Sequence, residues 1–230
     1  QETANDYQMT REEMDEYSIE SLRRANAAID SGAFADEVVP VTFSTRKGEV
    51  TVEHDEQPGK GRPDKIPQLR PAFAKDGTIT AATSSSISDG AAAVVLSRES
   101  VAKANGQQPV AKIVAMAAHA QEPAQFTVAP IGAIEKVLDK AGWSADEVEL
   151  WEVNEAFACV AMFAMRDIGI PHDKINVNGG GTALGHPIGA SGTRIIVTLL
   201  NALKQQGKKR GVASLCIGGG EATAVAVELV

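Results

Sequence analysis

The chain has 230 residues, of which 43% are hydrophobic and 23% are charged, a composition close to that of ordinary globular domains. Disorder, a collagen repeat and a disulfide scaffold built on two cysteines are therefore excluded as descriptions of the whole chain, and no apolar run reaches the roughly 18 residues of a membrane-spanning helix. The net charge of −8 and an aromatic content of 4% argue against a basic or base-stacking nucleic-acid binder. We therefore expect neither a nucleic acid nor a membrane as partner, and a cytoplasmic location is the default expectation.

The first half of the chain combines one clear helix with a long irregular region. Thr10 and Glu13 have capping-box spacing and Gly32 can end a helix, so the sequence predicts a helix over residues 10–31. A strand is expected over 38–43, and residues 44–80 are expected to form an irregular excursion with short elements. The continuous apolar run 89–96 is typical of a buried strand, and the charged stretch 98–105 is expected to be helical.

From residue 110 onward the pattern becomes regular. Strands are predicted over 110–117, 148–153, 175–177, 212–217 and 222–229, and helices over 130–141, 155–168 and 188–206. A capping box at Ser144 and Glu147 predicts one further helical turn. The order β-α-β-α-β-α-β-β indicates an α/β domain around a mostly parallel sheet, in which the last two strands form an antiparallel hairpin.

Three segments place chemically distinctive residues directly after predicted strands, where α/β sheets bind ligands. These residues are Asn154, His186 and Cys216. Each has an ordinary alternative, respectively a helix N-cap, a loop histidine and a small core residue. Together with the neighbouring glycines they supply a general base, a nucleophile or proton carrier, and free N–H groups for an oxyanion. This set suits acyl transfer or enolate chemistry, and it suits a zinc site less well because the Cys and His residues lack paired spacing.

The same segments resemble the three C-terminal signatures of the thiolase family, in the family's order and spacing. They read Asn154-Glu155-Ala156-Phe157, Gly185-His186-Pro187-Ile188-Gly189-Ala190-Ser191-Gly192 and Cys216-Ile217-Gly218-Gly219-Gly220. Asp89-Gly90-Ala91-Ala92-Ala93 and Arg70-Pro71-Ala72-Phe73 extend the resemblance over the whole chain. Glu122-Pro123 before Phe126, and Trp151-Glu152-Val153-Asn154, are most similar to short-chain acetoacetyl-CoA thiolases.

The resemblance implies exchange of an acyl group between coenzyme A thioesters, with acetyl-CoA and acetoacetyl-CoA as substrates and no separate cofactor. His186 would activate a nucleophilic cysteine and later donate to the thioester oxygen, and Asn154 would hold a water that completes this oxyanion hole. Cys216 would remove or return the α-carbon proton, and the N–H of Gly218 would form a second oxyanion hole. A thiolate at Cys216 is expected to be stabilised beside an imidazolium.

The resemblance also implies substrate-binding positions. Ser85 matches a serine that contacts the pantetheine arm, although Thr83-Ser84-Ser85-Ser86 replaces the more typical Asn-Ala-Ser-Gly. Phe126 lies near the acyl pocket. Lys60 and Arg62 lie where the family places the coenzyme A phosphates and adenine, with a solvated basic face as the alternative. The walls of the pantetheine tunnel would be formed by Phe73, Ala81, Ala156 and Phe157.

The thiolase fold has two similar halves, with a loop domain inserted in the first. Residues 1–82 are expected to supply the remainder of the loop domain, 83–109 the last strand and connection of the N-terminal half, and 110–230 the C-terminal half. No cysteine matches the family's N-terminal nucleophile, and Cys159 is interpreted as core packing. We therefore expect a fragment, or one piece of a nicked enzyme, whose partner is the missing N-terminal half. The full protein is expected to be a homodimer or homotetramer. The run 90–96 should then be exposed.

Two alternatives stay open from the sequence. A ketoacyl synthase or lipid-transfer relative would share the superfamily fold, but a synthase would carry a second His where this chain has Cys216. An inactive fragment or non-catalytic partner-binding module would explain the absent nucleophile, but it would not need Asn154, His186 and Cys216 together. His54, His119 and His172 match no family position.

Overall fold

The computed structural model describes residues 1–230, which contain eight α-helices and six β-strands. The helices are α1 (Glu2–Asp6), α2 (Arg11–Ser31), α3 (Glu56–Lys60), α4 (Glu99–Ala104), α5 (Ala129–Ala141), α6 (Ala158–Ile168), α7 (Gly181–Leu184) and α8 (Ile188–Gln205). The strands are β1 (Val41–Thr45), β2 (Gly48–Val52), β3 (Ala111–Ala120), β4 (Leu150–Val153), β5 (Arg210–Ile217) and β6 (Glu221–Leu229). None of the helices has both the length and the apolar composition needed to cross a membrane.

The main sheet is mixed and has the strand order β3-β6-β5-β4. Strand β6 is antiparallel to both of its neighbours, β3 and β5, whereas β4 is parallel to β5. The predicted mostly parallel sheet is therefore wrong, because the hairpin strand β6 lies between β3 and β5. Since β3 and β5 both oppose β6, the strands β3, β4 and β5 nevertheless run in one direction, and their carboxyl ends share one edge. The predicted strand over 175–177 is reduced to a single parallel bridge between Trp151 and Ile175.

Helices cover the main sheet on both faces. Val212 and Ala213 are neighbours on β5, and they belong to different hydrophobic clusters because successive side chains of a strand point to opposite faces. The larger cluster joins one face of the sheet to α5 and α6. The smaller cluster packs the other face against α8, through Ile195 and Leu199. The sheet therefore lies between a layer of α5 and α6 and a layer formed by α8.

Local capping signals set the helix ends as predicted. The Thr10 hydroxyl accepts from the N–H of Glu13 at 3.2 Å, and Oε2 of Glu13 accepts from the N–H of Thr10 at 2.8 Å, so α2 begins with a complete capping box. It ends at Gly32, whose φ of 73° lies in the left-handed region that favours glycine. A second capping box joins Ser144 and Glu147 at a one-turn helix.

The region before residue 110 departs from the sequence predictions in two places. The strand expected over 38–43 begins three residues later, at Val41, and is β1, which pairs with β2 in an isolated hairpin. The prediction of a buried strand over 89–96 is wrong, because this segment pairs with no other strand and has no regular structure. Its apolar side chains are exposed, as the run 90–96 was expected to be, with Val95 97% and Leu96 72% accessible.

Candidate active site

The carboxyl edge of the main sheet brings two of the predicted residues onto neighbouring strands. Asn154 follows the last residue of β4, and its N–H donates to the carbonyl of Ser214 on β5 at 2.9 Å. Cys216 lies two residues further along β5, opposite Ala222 of β6. The parallel pairing of β4 with β5 therefore places Asn154 and Cys216 at the same edge.

His186 reaches this edge from the loop between α7 and α8. Its Nε2 lies 3.4 Å from Nδ2 of Asn154, and its Nδ1 lies 2.5 Å from Oγ of Ser191. The backbone N–H of His186 donates to the carbonyl of Ser86 at 2.9 Å. Asn154 is only 1% exposed, and its Oδ1 has no hydrogen-bond partner in the protein. The structure therefore joins Asn154 and His186 and holds the imidazole at both ring nitrogens.

The electrostatics at His186 favour a neutral ring. Burial lowers the pKa of His186 below its ordinary value, and the positive charge of Arg194 lowers it further. A neutral imidazole has one nitrogen free to accept a proton. His186 is therefore suited to act as a general base near neutral pH.

Cys216 is a buried thiol. It is 7% exposed, and burial raises its pKa to about 11. The ring nitrogens of His186 contact Asn154 and Ser191 instead of the sulfur of Cys216. Burial therefore favours the neutral thiol over the expected thiolate beside an imidazolium, and only a backbone hydrogen bond at Cys216 opposes the rise in pKa. As a thiol, Cys216 can give a proton to a leaving group.

Gly218 lies in the open turn that follows β5. No protein group accepts a hydrogen bond from its N–H, and no atom lies within 4 Å of the position a Cβ would occupy. A cavity of about 260 Å³ opens at the same sheet edge between the end of β3 and the hairpin, lined in part by Ile217 and Glu221. The N–H of Gly218 is therefore available to donate to a substrate oxygen.

Glu155 joins the site to the first half of the chain, a role that sequence reasoning missed. Its carboxylate is fully buried, and Oε1 accepts from Tyr17 Oη at 2.8 Å and from Asn176 Nδ2 at 2.9 Å. Its Oε2 accepts from Ser21 Oγ at 2.8 Å, and from the N–H and the hydroxyl of Thr182 at 3.1 and 2.7 Å. Five donors thus satisfy one buried carboxylate, as a buried charge requires. The position of Glu155 directly after Asn154 could have indicated a role at the site, but the sequence does not show which residues donate hydrogen bonds to it.

The glycines before His186 allow the chain to lie against this carboxylate. A Cβ on Gly180 would overlap the carboxyl group of Glu155, and a Cβ on Gly181 would lie 2.9 Å from the Glu155 carbonyl oxygen. Gly179 has a φ of +78°, a backbone conformation that residues other than glycine rarely adopt. The glycine run therefore makes close packing possible between the His186 segment and the Asn154 segment.

Five of the predicted substrate-binding residues form one group beside the site. Ser85 donates both its N–H and its hydroxyl to the carbonyl of Ala156, each at 3.0 Å. The ring of Phe157 packs edge-on against Phe73, with centroids 5.9 Å apart, and against Phe126, with centroids 6.4 Å apart. Phe73 is 65% exposed, so this aromatic group has an open side.

The other three predicted binding residues are not part of this group. Ala81 is exposed in the loop after Thr80. Lys60 is exposed at the end of α3, where it forms an ion pair with Glu56 at 3.5 Å. Arg62 is exposed just after α3 and donates to no protein group. Lys60 and Arg62 therefore both lie on the solvated surface, outside the aromatic group.

A contact between Arg194 and the buried carboxyl group of Glu152 lies next to the site and was not expected from the sequence. Nη1 of Arg194 on α8 is 3.3 Å from Oε2 of Glu152, whose side chain is 2% exposed. Burial raises the pKa of Glu152 to about 8 despite the opposing charge of Arg194. The positive charge of Arg194 therefore lowers the pKa of both Glu152 and His186.

Comparison with known proteins gives consistent results over the whole chain. Residues 1–100 match the family described as thiolase, N-terminal domain, and residues 107–229 match thiolase, C-terminal domain. Acetyl-CoA acetyltransferase of Yarrowia lipolytica is 51% identical over 222 residues, which are 96% of this chain and 55% of the relative. Acetyl-CoA acetyltransferase of Rhizobium meliloti is 48% identical over 226 residues, which are 98% of this chain and 58% of the relative.

Solved structures agree with these relatives. The Bacillus anthracis acetyl-CoA acetyltransferase superposes with a TM-score of 0.96 at 42% identity, over 99% of this chain and 58% of that one. Human mitochondrial 3-ketoacyl-CoA thiolase superposes with a TM-score of 0.91 at 37% identity, with the same coverage. The chain thus spans a little over half the length of the proteins that it matches.

Proposed function

Because the chain belongs to the thiolase family, we propose that it supplies the base, acid and oxyanion-hole half of a site that transfers acyl groups between coenzyme A thioesters. The proposed reaction joins two acetyl-CoA molecules into acetoacetyl-CoA and free coenzyme A, or reverses this by thiolysis. The contact between Nδ2 of Asn154 and Nε2 of His186 carries the proposal, because it fixes a base at the sheet edge that also holds Cys216 and Gly218. The reaction needs no cofactor besides the thioester substrates.

In the proposed acylation step, His186 takes the proton of a nucleophilic cysteine through Nε2. The resulting thiolate attacks the carbonyl carbon of acetyl-CoA, and the C–S bond to coenzyme A breaks. Cys216 gives its thiol proton to the departing coenzyme A thiolate, which leaves as the free thiol. The site then contains an acyl-cysteine, an imidazolium at His186 and a thiolate at Cys216. Each charge stabilises the other only at this stage, which accounts for the neutral thiol of the resting chain.

In the proposed condensation step, the Cys216 thiolate removes a proton from the α-carbon of a second acetyl-CoA. The enolate oxygen accepts from Nε2–H of His186, and Asn154 contributes to the same oxyanion hole. The α-carbon attacks the acyl-cysteine, and Gly218 N–H stabilises the tetrahedral oxyanion. Collapse forms acetoacetyl-CoA and returns the cysteine thiolate, which recovers its proton from His186. All protons are thereby restored.

The nucleophile of this scheme is not a cysteine of these 230 residues. Cys159 is 3% exposed in α6, and burial raises its pKa to about 12, so it is neither accessible nor ionised near neutral pH. We therefore include in the proposal that activity requires an N-terminal thiolase segment outside this sequence. The homodimeric or homotetrameric assembly and the cytoplasmic location also stay predictions.

A non-catalytic binding module is the second candidate. The consecutive exposed side chains of Val94, Val95 and Leu96 favour it, since a contiguous exposed apolar surface indicates a partner. The same residues suit packing against an N-terminal thiolase segment. An assay of the combined protein separates the two candidates.

The test combines this chain with an N-terminal thiolase segment and measures thiolysis of acetoacetyl-CoA by coenzyme A. We expect Cys216→Ser to lower kcat at least about 100-fold, the usual size of a lost acid–base group. Cys159→Ser is the matched control, a second buried cysteine outside the mechanism, and it should retain activity. Full activity of Cys216→Ser would contradict the mechanism, and a folded complex without thiolysis would favour the binding module.

A further inference from the structure

Ser191 lies in the first turn of α8 and contacts the side of His186 that faces away from Asn154. It is fully buried, and its Oγ is 2.5 Å from Nδ1 of His186. The same hydroxyl donates to the carbonyl of Pro187, one helical turn earlier, at 3.1 Å. Pro187 directly follows His186 in the chain, so the helix start places the hydroxyl against the ring.

The available protons determine the direction of each hydrogen bond. A serine hydroxyl has one proton and two acceptor lone pairs. When that proton is donated to the Pro187 carbonyl, a lone pair of Oγ faces Nδ1 of His186, and Nδ1 must carry the hydrogen. On the opposite side of the ring, Nδ2 of Asn154 can only donate, and it faces Nε2 at 3.4 Å. Both neighbours therefore favour the same tautomer, with hydrogen on Nδ1 and a lone pair on Nε2.

From this arrangement we propose that Ser191 is a positioning residue that holds the proton of His186 on Nδ1 and keeps the Nε2 lone pair directed at Asn154. The proposal deepens the function proposed above and takes its chemical meaning from it, since that function requires Nε2 to accept the proton of the nucleophile. After that transfer, Nε2–H becomes the donor to the enolate oxygen while Nδ1–H still donates to Ser191. Only Nε2 then exchanges a proton during the cycle.

The tautomer can be measured on the 230-residue chain without substrate. The experiment records ¹⁵N spectra of the histidine ring nitrogens at a pH above the titration of His186. The chain has four histidines, and the His186 signals are those lost in His186→Gln. We expect Nδ1 to resonate as a protonated nitrogen and Nε2 as an unprotonated one. In Ser191→Ala the ratio of the Nδ1–H to the Nε2–H tautomer should fall about 3- to 10-fold, the effect of one net hydrogen bond.

Two further variants separate positioning from packing. Ser191→Thr keeps the hydroxyl and should restore the tautomer ratio. Ser18→Ala is the matched control, because Ser18 is also a buried helical serine whose Oγ donates to the carbonyl four residues earlier, that of Met14, at 2.9 Å. It should leave the His186 spectrum unchanged.

Several results would overturn the proposal. One is a wild-type His186 that is mainly the Nε2–H tautomer, which is decisive even if Ser191→Ala does not fold. Another is a folded Ser191→Ala chain with the wild-type ratio, or a folded Ser191→Thr chain that shows the ratio of the alanine variant. Failure of the proposed function would appear instead as absent thiolysis in the combined protein. The two failures are therefore distinguishable.

Discussion

The hydroxyl of Tyr17 donates to Oε1 of Glu155 at 2.8 Å, which joins two buried side chains separated by 138 positions in the sequence. Burial and the neighbouring carboxylate raise the pKa of Tyr17 well above 10, so the phenol stays protonated and remains a donor. Helix α2 is thereby bound to the residue that follows Asn154. The helix from the first half of the chain thus supports the candidate active site.

Glu155→Gln should destabilise the chain by about 2–4 kcal/mol, because an amide NH₂ cannot accept from the donors that face one carboxylate oxygen. Urea unfolding of the purified chain measures the change. Glu135→Gln makes the same chemical change on the exposed face of α5 and should change the free energy of unfolding by less than about 0.5 kcal/mol. Equal effects of the two variants would show that the buried network around Glu155 does not stabilise the chain more than an exposed carboxylate does.

Gly180→Ala and Gly189→Ala should have opposite effects on stability. A Cβ on Gly180 would overlap the Glu155 carboxyl group, and such overpacking costs about 1–3 kcal/mol. Gly189 lies in the first turn of α8 with no atom within 4 Å of its Cβ position, so alanine can stabilise the helix by up to about 1 kcal/mol. Thermal unfolding of both variants measures this, and destabilisation of both by the same amount would contradict it.

Arg194→Gln should raise the pKa of His186 toward its ordinary value of 6.5. The charge of Arg194 is the second cause of the lowered pKa after burial, so the shift should be partial. NMR titration of the His186 ring measures it. Arg194→Lys keeps the positive charge and should leave the pKa closer to that of the wild type. A lower pKa in Arg194→Gln would show that the arginine acts mainly through packing.

Glu152 should make the chain less stable as the pH rises. Burial raises the pKa of Glu152 from 4.5 to about 8, so above pH 4.5 the unfolded chain ionises while the folded chain holds the proton. The stabilisation is complete below the unfolded pKa and is lost as the pH rises through about 8. The slope approaches about 1.4 kcal/mol per pH unit within this window.

Urea unfolding between pH 5.5 and 8.5 tests this dependence by comparing wild type with Glu152→Gln. The variant cannot ionise at position 152, so its stability should decrease less over the range. Asp15, Glu37 and Asp55 also have pKa values raised by burial, and comparing the two chains removes their common contribution. Glu221→Gln, an exposed carboxyl change, is the control. Identical slopes for wild type and Glu152→Gln would disprove the assignment.

Features that depend on neighbouring residues were predictable from the sequence. The capping box of Thr10 and Glu13 and the left-handed Gly32 define α2 as predicted, because their hydrogen bonds connect positions within one helical turn. The positions of Asn154 and Cys216 at one sheet edge were also predictable, since the order of strands and helices makes β4 and β5 run together. His186 was identified by its motif, and the structure places its Nε2 3.4 Å from Nδ2 of Asn154.

The tertiary structure decided what depends on distant partners. The sequence could not show that β6 would lie between β3 and β5. The five donors to Glu155 come from α2, from the loop at Asn176 and from α7, and only folding brings them together. The sequence by itself thus determined the family and the local helix ends and pointed to the candidate site residues, because these features depend on residues that lie close together in the chain. The protonation of Cys216 and the support of the Asn154–His186 pair depend on burial and on contacts between residues far apart in the chain, which only the folded structure defines.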